Sequence, residues 1–324
     1  VKDRFGREIN YIRVSVTDRC NFRCIYCMPE EGILPKDCGD ILRFEEIARF
    51  LKAIAPLGIS AVRITGGEPL VRKGIVDFIK MLRAIPEIRD ISMTTNGSLL
   101  AGIAEELKKA GLDRVNISLD SLNPEKFQRM TRVGNLKDVL DGIRAALEND
   151  LSPVKINCVV VKGFNDDEVA DFARLTTDNP LTVRFIELMP VGEAARGKME
   201  TVSQDRITRF LGMKLEPVKY EEKGEGPAVY FKIPGAKGYV GFISPISHHF
   251  CARCNRVRLT ADGKLKPCLD SEDEVDIKML LRESASDEKL RQVFIEALAK
   301  KPAGHKMNVV PFERTKRNMC QIGG

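Results

Sequence analysis

Three cysteines fall within eight residues in the stretch CNFRCIYC, at Cys20, Cys24 and Cys27. Spacings of three and two residues are too tight for a wide zinc-finger loop, but they can wrap three thiolates around one cubic iron–sulfur cluster, which ordinarily takes four. Three protein ligands leave one iron with an open position, as catalytic zinc sites keep one for water or substrate. A zinc site completed from elsewhere, with Cys38 the nearest further thiol, and a chance grouping are the competing readings. A second group, HHFCARC followed by LKPC, supplies Cys251, Cys254 and Cys268. Its spacing fits a zinc ion completed by His248 or His249 as readily as a second three-thiol cluster.

These thiols need a frame. From Tyr11 to Leu188, β-branched runs (YIRVSVT, SAVRIT, DISMTT, DRVNISL, VKINCVVV, LTVRFIEL) alternate with amphipathic stretches such as FEEIARFLKAIAPLG and LKDVLDGIRAALEND. Six strand–helix units in succession predict parallel strands with helices between them, an α/β fold of the incomplete (β/α)6 TIM-like barrel type. Residues 1–190 form that unit. Residues 191–324 read as a smaller α+β region closing one mouth, with short strands, a hairpin turning at Asp262–Gly263 and two charged helices near 274–283 and 287–300. The first triad follows the first strand, at the strand end where barrel enzymes place their active sites.

Polar residues recur with period two inside the strands: Arg13, Ser15 and Thr17; Arg63 and Thr65; Asn116 and Ser118; Lys155 and Asn157; and Arg184. If the apolar set faces the helices, this polar set lines a shared interior. Buried cations there call for an anionic ligand. The alternative is that the arginines sit at strand starts and pair with acidic loop residues.

The 324-residue chain is 43% hydrophobic and 30% charged, with formal net charge +6. These are values of an ordinary globular protein, without the concentrated basic stripe of a nucleic-acid binder. No apolar run approaches a membrane span. The start, VKDRFGREIN, lacks a secretory apolar stretch, which predicts a cytoplasmic protein whose nine cysteines stay reduced.

CxxxCxxC with an aromatic (Tyr26) before its last cysteine, followed by TGGEP after the second strand, resembles the radical S-adenosylmethionine (SAM) superfamily. The resemblance implies a [4Fe-4S] cluster on Cys20, Cys24 and Cys27 whose open iron is chelated by SAM. Reductive cleavage of SAM then gives a 5′-deoxyadenosyl radical that abstracts hydrogen from substrate. Tyr26, Gly67, Ser118 and Met189 match SAM-contact positions, with Glu68 assisting at the methionine ammonium.

The second triad in its CxxC-N-R-x-R context, with TTNG, RFIELMP and the QIGG terminus, extends the resemblance from about Arg4 to Gly324. It is similar to the GTP 3′,8-cyclase family, which opens molybdenum-cofactor biosynthesis. That implies a second [4Fe-4S] cluster on Cys251, Cys254 and Cys268, its open iron against guanine. GTP contacts fall on Arg13, Arg63, Thr94, Lys155, Arg256, the backbone at Val257, and Arg258, with Arg184 in the same columns. Gly323 and Gly324 form a tail that inserts into the active site. The implied reaction removes the ribose H3′ of GTP and joins that carbon to guanine C8. Implied partners are a reductant and the cyclic pyranopterin monophosphate synthase, and a homodimer is left open.

A radical SAM enzyme that modifies a peptide is the alternative, against which the basic interior argues. A non-enzymatic iron–sulfur or zinc module leaves TGGEP and the six units unexplained. Cys158 reads as core, Cys38 and Cys320 as incidental, and His248, His249 and His305 as structural.

Overall fold

The computed structural model describes residues 1–34, 36–197, 199–220, 226–307 and 317–323. Six strands run parallel in chain order: β1 (Tyr11–Ser15), β2 (Ala61–Thr65), β3 (Asp90–Thr95), β4 (Arg114–Ser118), β5 (Val154–Val160) and β6 (Leu181–Glu187). Between them lie α1 (Phe44–Ile54), α2 (Ile75–Arg83), α3 (Ala104–Ala110), α4 (Pro124–Thr131), α5 (Leu136–Glu148) and α6 (Val169–Asp178). The period-two alternation explains the layering. Ile12, Val14, Val62, Ile64, Val115, Ile117, Val183 and Phe185 are buried in the hydrophobic core with apolar helix residues such as Ile47, Phe50, Phe78, Leu107, Val139 and Phe172. Asn123 and Asn135 cap α4 and α5 by accepting hydrogen bonds from backbone N–H groups of the first turn.

The remaining elements are α7 (Glu193–Arg196), α8 (Gln204–Leu211), β7 (Glu216–Pro217), β8 (Val229–Lys232), β9 (Tyr239–Ile243), β10 (Arg256–Leu259), β11 (Lys264–Lys266), β12 (Val275–Asp276), α9 (Lys278–Arg282) and α10 (Asp287–Ala299). Their strands join the same sheet. β9 pairs parallel with β6, and β10 pairs parallel with β1, so the parallel run is lengthened at both edges. Antiparallel β11–β12 and β8–β7 continue outward, giving the order β12-β11-β10-β1-β2-β3-β4-β5-β6-β9-β8-β7. Among the described residues no pairing joins the outer edges, which makes this an open, partial barrel. No described helix is long and apolar enough to cross a membrane.

Register aligns the polar columns. Arg13 lies opposite Arg63 on one side and Arg258 on the other, so three guanidinium-bearing residues sit in one row across β10, β1 and β2. Ser118, Asn157 and Arg184 make a second row across β4, β5 and β6. Arg114, at the start of β4, forms a two-point pair with Asp90 at the start of β3, at 2.6 and 3.0 Å.

Candidate functional site

One cavity lies at the ends of these strands, and all six clustered cysteines line it. Cys20, Cys24 and Cys27 come from the loop after β1. Its entry is fixed by the TGGEP turn: Gly67 N–H donates to Thr17 O and Glu68 N–H to Arg19 O, each at 2.8 Å. A Cβ at Gly67 would stand 2.4 Å from Arg19 O, so glycine is required for the two loops to dock. Glu68 itself is fully buried. It accepts from Thr95 Oγ1 at 2.8 Å, Asn96 N at 2.6 Å and Leu70 N at 3.0 Å. It therefore fastens the loops after β2 and β3 to one another.

The first triad lies in apolar and acidic surroundings. Burial pushes the Cys20 thiol up to about 12, with Glu68 adding to it. Burial and Asp120 raise Cys24 well above its ordinary value. A hydrogen bond to Cys320, then burial, does the same for Cys27. Tyr26 donates its hydroxyl to Asp120 Oδ2 at 2.6 Å, and Val159 N–H donates to Asp120 Oδ1 at 2.8 Å. Burial raises the Asp120 carboxyl to about 6.

The second triad lies among cations. Burial works to raise the Cys254 thiol, but Arg256 and Lys301 beside it outweigh that and hold it at about 7. Burial lowers the Arg63 and Arg258 guanidiniums to about 10, with neighbouring cations adding to it. Arg13 is depressed further, by burial and then by Arg258. Cations crowded this closely in a buried space form a strong anion seat. Thr94 Oγ1 also faces this cavity, buried and without a hydrogen-bond partner among the described residues. Such an orphaned hydroxyl is what a bound ligand satisfies.

Comparison with known proteins agrees with this geometry. The pattern of the Radical SAM superfamily matches residues 14–176, and that of Molybdenum Cofactor Synthesis C matches residues 181–307. The GTP 3′,8-cyclase of Heliobacterium modesticaldum is 54% identical, over 99% of each chain. Those of Alkaliphilus oremlandii and Moorella thermoacetica are 52% and 51% identical over the full length of both chains. The chain belongs to the GTP 3′,8-cyclase family. Among solved structures, Streptococcus suis SuiB bound to S-adenosylmethionine superposes with TM-score 0.58 over 97% of this chain and 78% of its own, at 16% identity. At that identity the likeness carries the fold alone.

Within this cyclase framework, Tyr26, Gly67, Ser118 and Met189 all line the cavity, as do Arg13, Arg63, Thr94, Arg256 and Arg258. Val257 turns its side chain into the core and pairs with Ile12 through the sheet. Lys155 is the outlier. Its ammonium is buried 4.4 Å from the centre of the Tyr220 ring and 5.8 Å from that of Tyr230, and it is not among the lining residues. Arg184 does line the cavity, held by Asn157 Oδ1 at 2.9 Å and Asn116 Oδ1 at 2.5 Å.

The C-terminal tail enters the same space. Arg13 donates to Gly323 O at 3.0 Å and Arg258 to Ile322 O at 3.2 Å. A Cβ at Gly323 would lie 2.5 Å from Thr65 Oγ1. Gly324 lies outside the described residues. Cys320, read from sequence as incidental, is buried and lines the cavity beside Met319.

His305 lines the cavity too, although its ring carries two backbone bonds: Nε2 donates to Pro245 O at 2.8 Å, and Met307 N–H donates to Nδ1 at 3.3 Å. Its nearest ligand atom, with those of His249 and Cys251, falls within a 4.8 Å group. Cys158 is core, as read from sequence. Sequence reasoning missed Lys301, whose acceptors lie 34 to 47 residues away along the chain. A lysine after a helix carries no signal of that.

Proposed function

We propose that this chain is a GTP 3′,8-cyclase that uses SAM and two [4Fe-4S] clusters. The observation that carries the reading is that both thiol triads line one cavity, with the Arg13–Arg63–Arg258 row facing the same space. Three closely spaced motif thiols at each end, with the tail's Cys320 beside Cys27 taken here as a neighbour and not a ligand, suit clusters that keep an iron for a small-molecule ligand. When bound, the first cluster with SAM would supply the one-electron chemistry that begins the reaction, and the second would offer its open iron to the nucleotide.

The chain's own residues do the rest. Cys20, Cys24 and Cys27 hold the first cluster, and Tyr26, Gly67, Ser118 and Met189 seat SAM beside it. Cys251, Cys254 and Cys268 hold the second. Arg13, Arg63, Arg256 and Arg258 clamp the triphosphate through planar guanidinium forks, with Thr94 and the Val257 backbone as hydrogen-bond partners. Lys155, below the lining, adds its charge to the field and braces Tyr220. The cavity walls exclude water and fix ribose C3′ and guanine C8 in reach of one another, because a reactive carbon centre must meet its partner before anything else. Gly323 closes the tail against this space, where a Cβ would stand 2.5 Å from Thr65 Oγ1, and the role the resemblance gives to the terminal glycine pair belongs to this reading.

The division near residue 190 belongs to this reading: the radical SAM partial barrel before it, the second cluster's thiols and the tail after it, with the nucleotide seat drawn from both. Its support is that the two family patterns abut between residues 176 and 181. The partners we assign are GTP, an electron donor and the cyclic pyranopterin monophosphate synthase, in a cytoplasm where thiols stay reduced.

The test is anaerobic. Reconstituted protein should carry about eight iron and eight sulfide per chain. Reduced protein with SAM should form 5′-deoxyadenosine when GTP is added and not otherwise. Colourless protein with stoichiometric zinc, or SAM cleavage indifferent to GTP, overturns the reading.

A further inference from the structure

Lys301 stands just beyond the end of α10 and is 2% exposed. Its ammonium has three N–H bonds and three acceptors. It donates to Arg256 O at 2.7 Å, to Pro267 O at 2.7 Å and to Cys254 Sγ at 3.6 Å. All three belong to the frame of the second triad: Arg256 follows Cys254 by two residues, and Pro267 directly precedes Cys268. One ammonium thus ties the two arms of chain that deliver two of the three thiols. The third arm is tied through the same segment. Arg7, fixed by Asp3 at 2.7 Å, donates to Cys251 O at 2.9 Å and to the carbonyls of Pro302 and Ala303, which follow Lys301.

A buried cation is costly unless it is put to use. Carbonyl oxygens on both sides, without a carboxylate among its hydrogen-bond partners in the described residues, leave the charge of Lys301 largely uncancelled next to a thiol of the triad. Hydrogen bonds and positive charge at the sulfurs of an iron–sulfur cluster stabilise its more negative, reduced form, and partners that orient metal ligands also set affinity.

We infer that Lys301 is a positioning residue for the second triad, which fixes the approach of Cys254 to Cys268 and raises the reduction potential of the cluster they hold. This rests on the proposal that the triad carries a cluster.

The test is an anaerobic redox titration of the reconstituted full chain, followed by electron paramagnetic resonance. The signal that GTP perturbs identifies the second cluster. In Lys301→Met, which keeps length and removes charge, the midpoint of that signal should shift to more negative potential while the first cluster's stays in place. GTP-dependent turnover should fall about 10–100-fold, the usual scale for losing a partner of a metal ligand. Lys301→Arg, which keeps the charge, should move the midpoint back toward the original. Should the Met variant fold, by circular dichroism, but lose half its iron, recovery of that iron in the Arg variant supports the inference equally. Unchanged midpoint and turnover in Lys301→Met overturn it. Absence of any GTP-sensitive cluster signal in the unaltered protein instead overturns the parent proposal.

Discussion

Cys20, Cys24 and Cys27 share their end of the cavity with Asp120 and Tyr26, with the buried Glu68 behind them, whereas Cys251, Cys254 and Cys268 share theirs with Arg256, Arg258 and Lys301. The same donor set is thus placed in opposite fields. Burial holds the first thiols protonated far above neutral pH, while the second triad contains a thiol held near 7. Low surrounding positive charge favours a strongly reducing cluster, and high positive charge favours an anionic ligand and an easily reduced one. What distinguishes the two ends is therefore their neighbours, not their ligands.

The largest expected effect breaks the comparison outright. Cys24→Ala should abolish SAM cleavage with or without GTP, and Cys254→Ala should abolish GTP-dependent product while the first cluster's iron, about half the total, is retained. Iron analysis with chromatographic quantitation of 5′-deoxyadenosine checks both. Loss of nearly all the iron in either variant would show that the ends do not assemble separately.

Next comes the field itself. In cluster-free protein at pH 7, iodoacetamide should alkylate Cys254 about a hundredfold faster than Cys20, allowing for the lower nucleophilicity of the weaker base. The Cys254 rate should rise through a midpoint near 7 while the Cys20 rate stays low until far more alkaline pH, as peptide mass spectrometry would resolve. Similar profiles would mean that the neighbours do not act as argued.

A smaller effect separates ligands. Arg258→Ala should weaken GTP binding about 10–100-fold, the loss of charge-assisted hydrogen bonds, and leave SAM affinity nearly unchanged. Lys155→Met should cost GTP less, because that ammonium lies under Tyr220 and outside the lining. Isothermal titration gives the order, and equal losses would return Lys155 to the first rank of contacts.

The smallest expected effect is on stability. Burial raises the Glu68 carboxyl from 4.5 to about 7. Between those values the folded chain binds a proton that the unfolded chain has released, so stability should fall as pH rises across the window. Glu68→Gln should flatten that slope, a change on the order of 1–3 kcal/mol between pH 4.5 and 7. Urea titrations of cluster-free protein at several pH values would measure it. An unchanged slope would assign it to another acid near the first triad, with Asp120 the next to test.

Much of the frame was legible along the chain. Strict alternation in β1 and β2, amphipathic helices between strands and thiols directly after β1 fixed the parallel strands and the end at which chemistry would sit. The parallel pairing of β9 and β10 was not legible. Both are short and carry no crossover helix in the pattern of the first six, and a strand's neighbours depend on which edges the rest of the sheet leaves open. Lys155 was read onto the interior face by its period, yet nothing local foretold that Tyr220 and Tyr230 would cover it. Cys320 looked incidental because its place beside Cys27 needs the tail to thread back into the cavity.

By itself, the sequence determined the two thiol triads, the strand–helix order and the polar face of each strand, since each depends on residue types a few positions apart. Only the tertiary structure decided that the triads share one cavity, that Arg258 falls into row with Arg13 and Arg63, and that Lys301 reaches the frame of Cys254 and Cys268. Those are contacts between residues far apart in the chain. Register and burial, which belong to the whole sheet, choose them, and with them the charge that each cluster of cysteines feels.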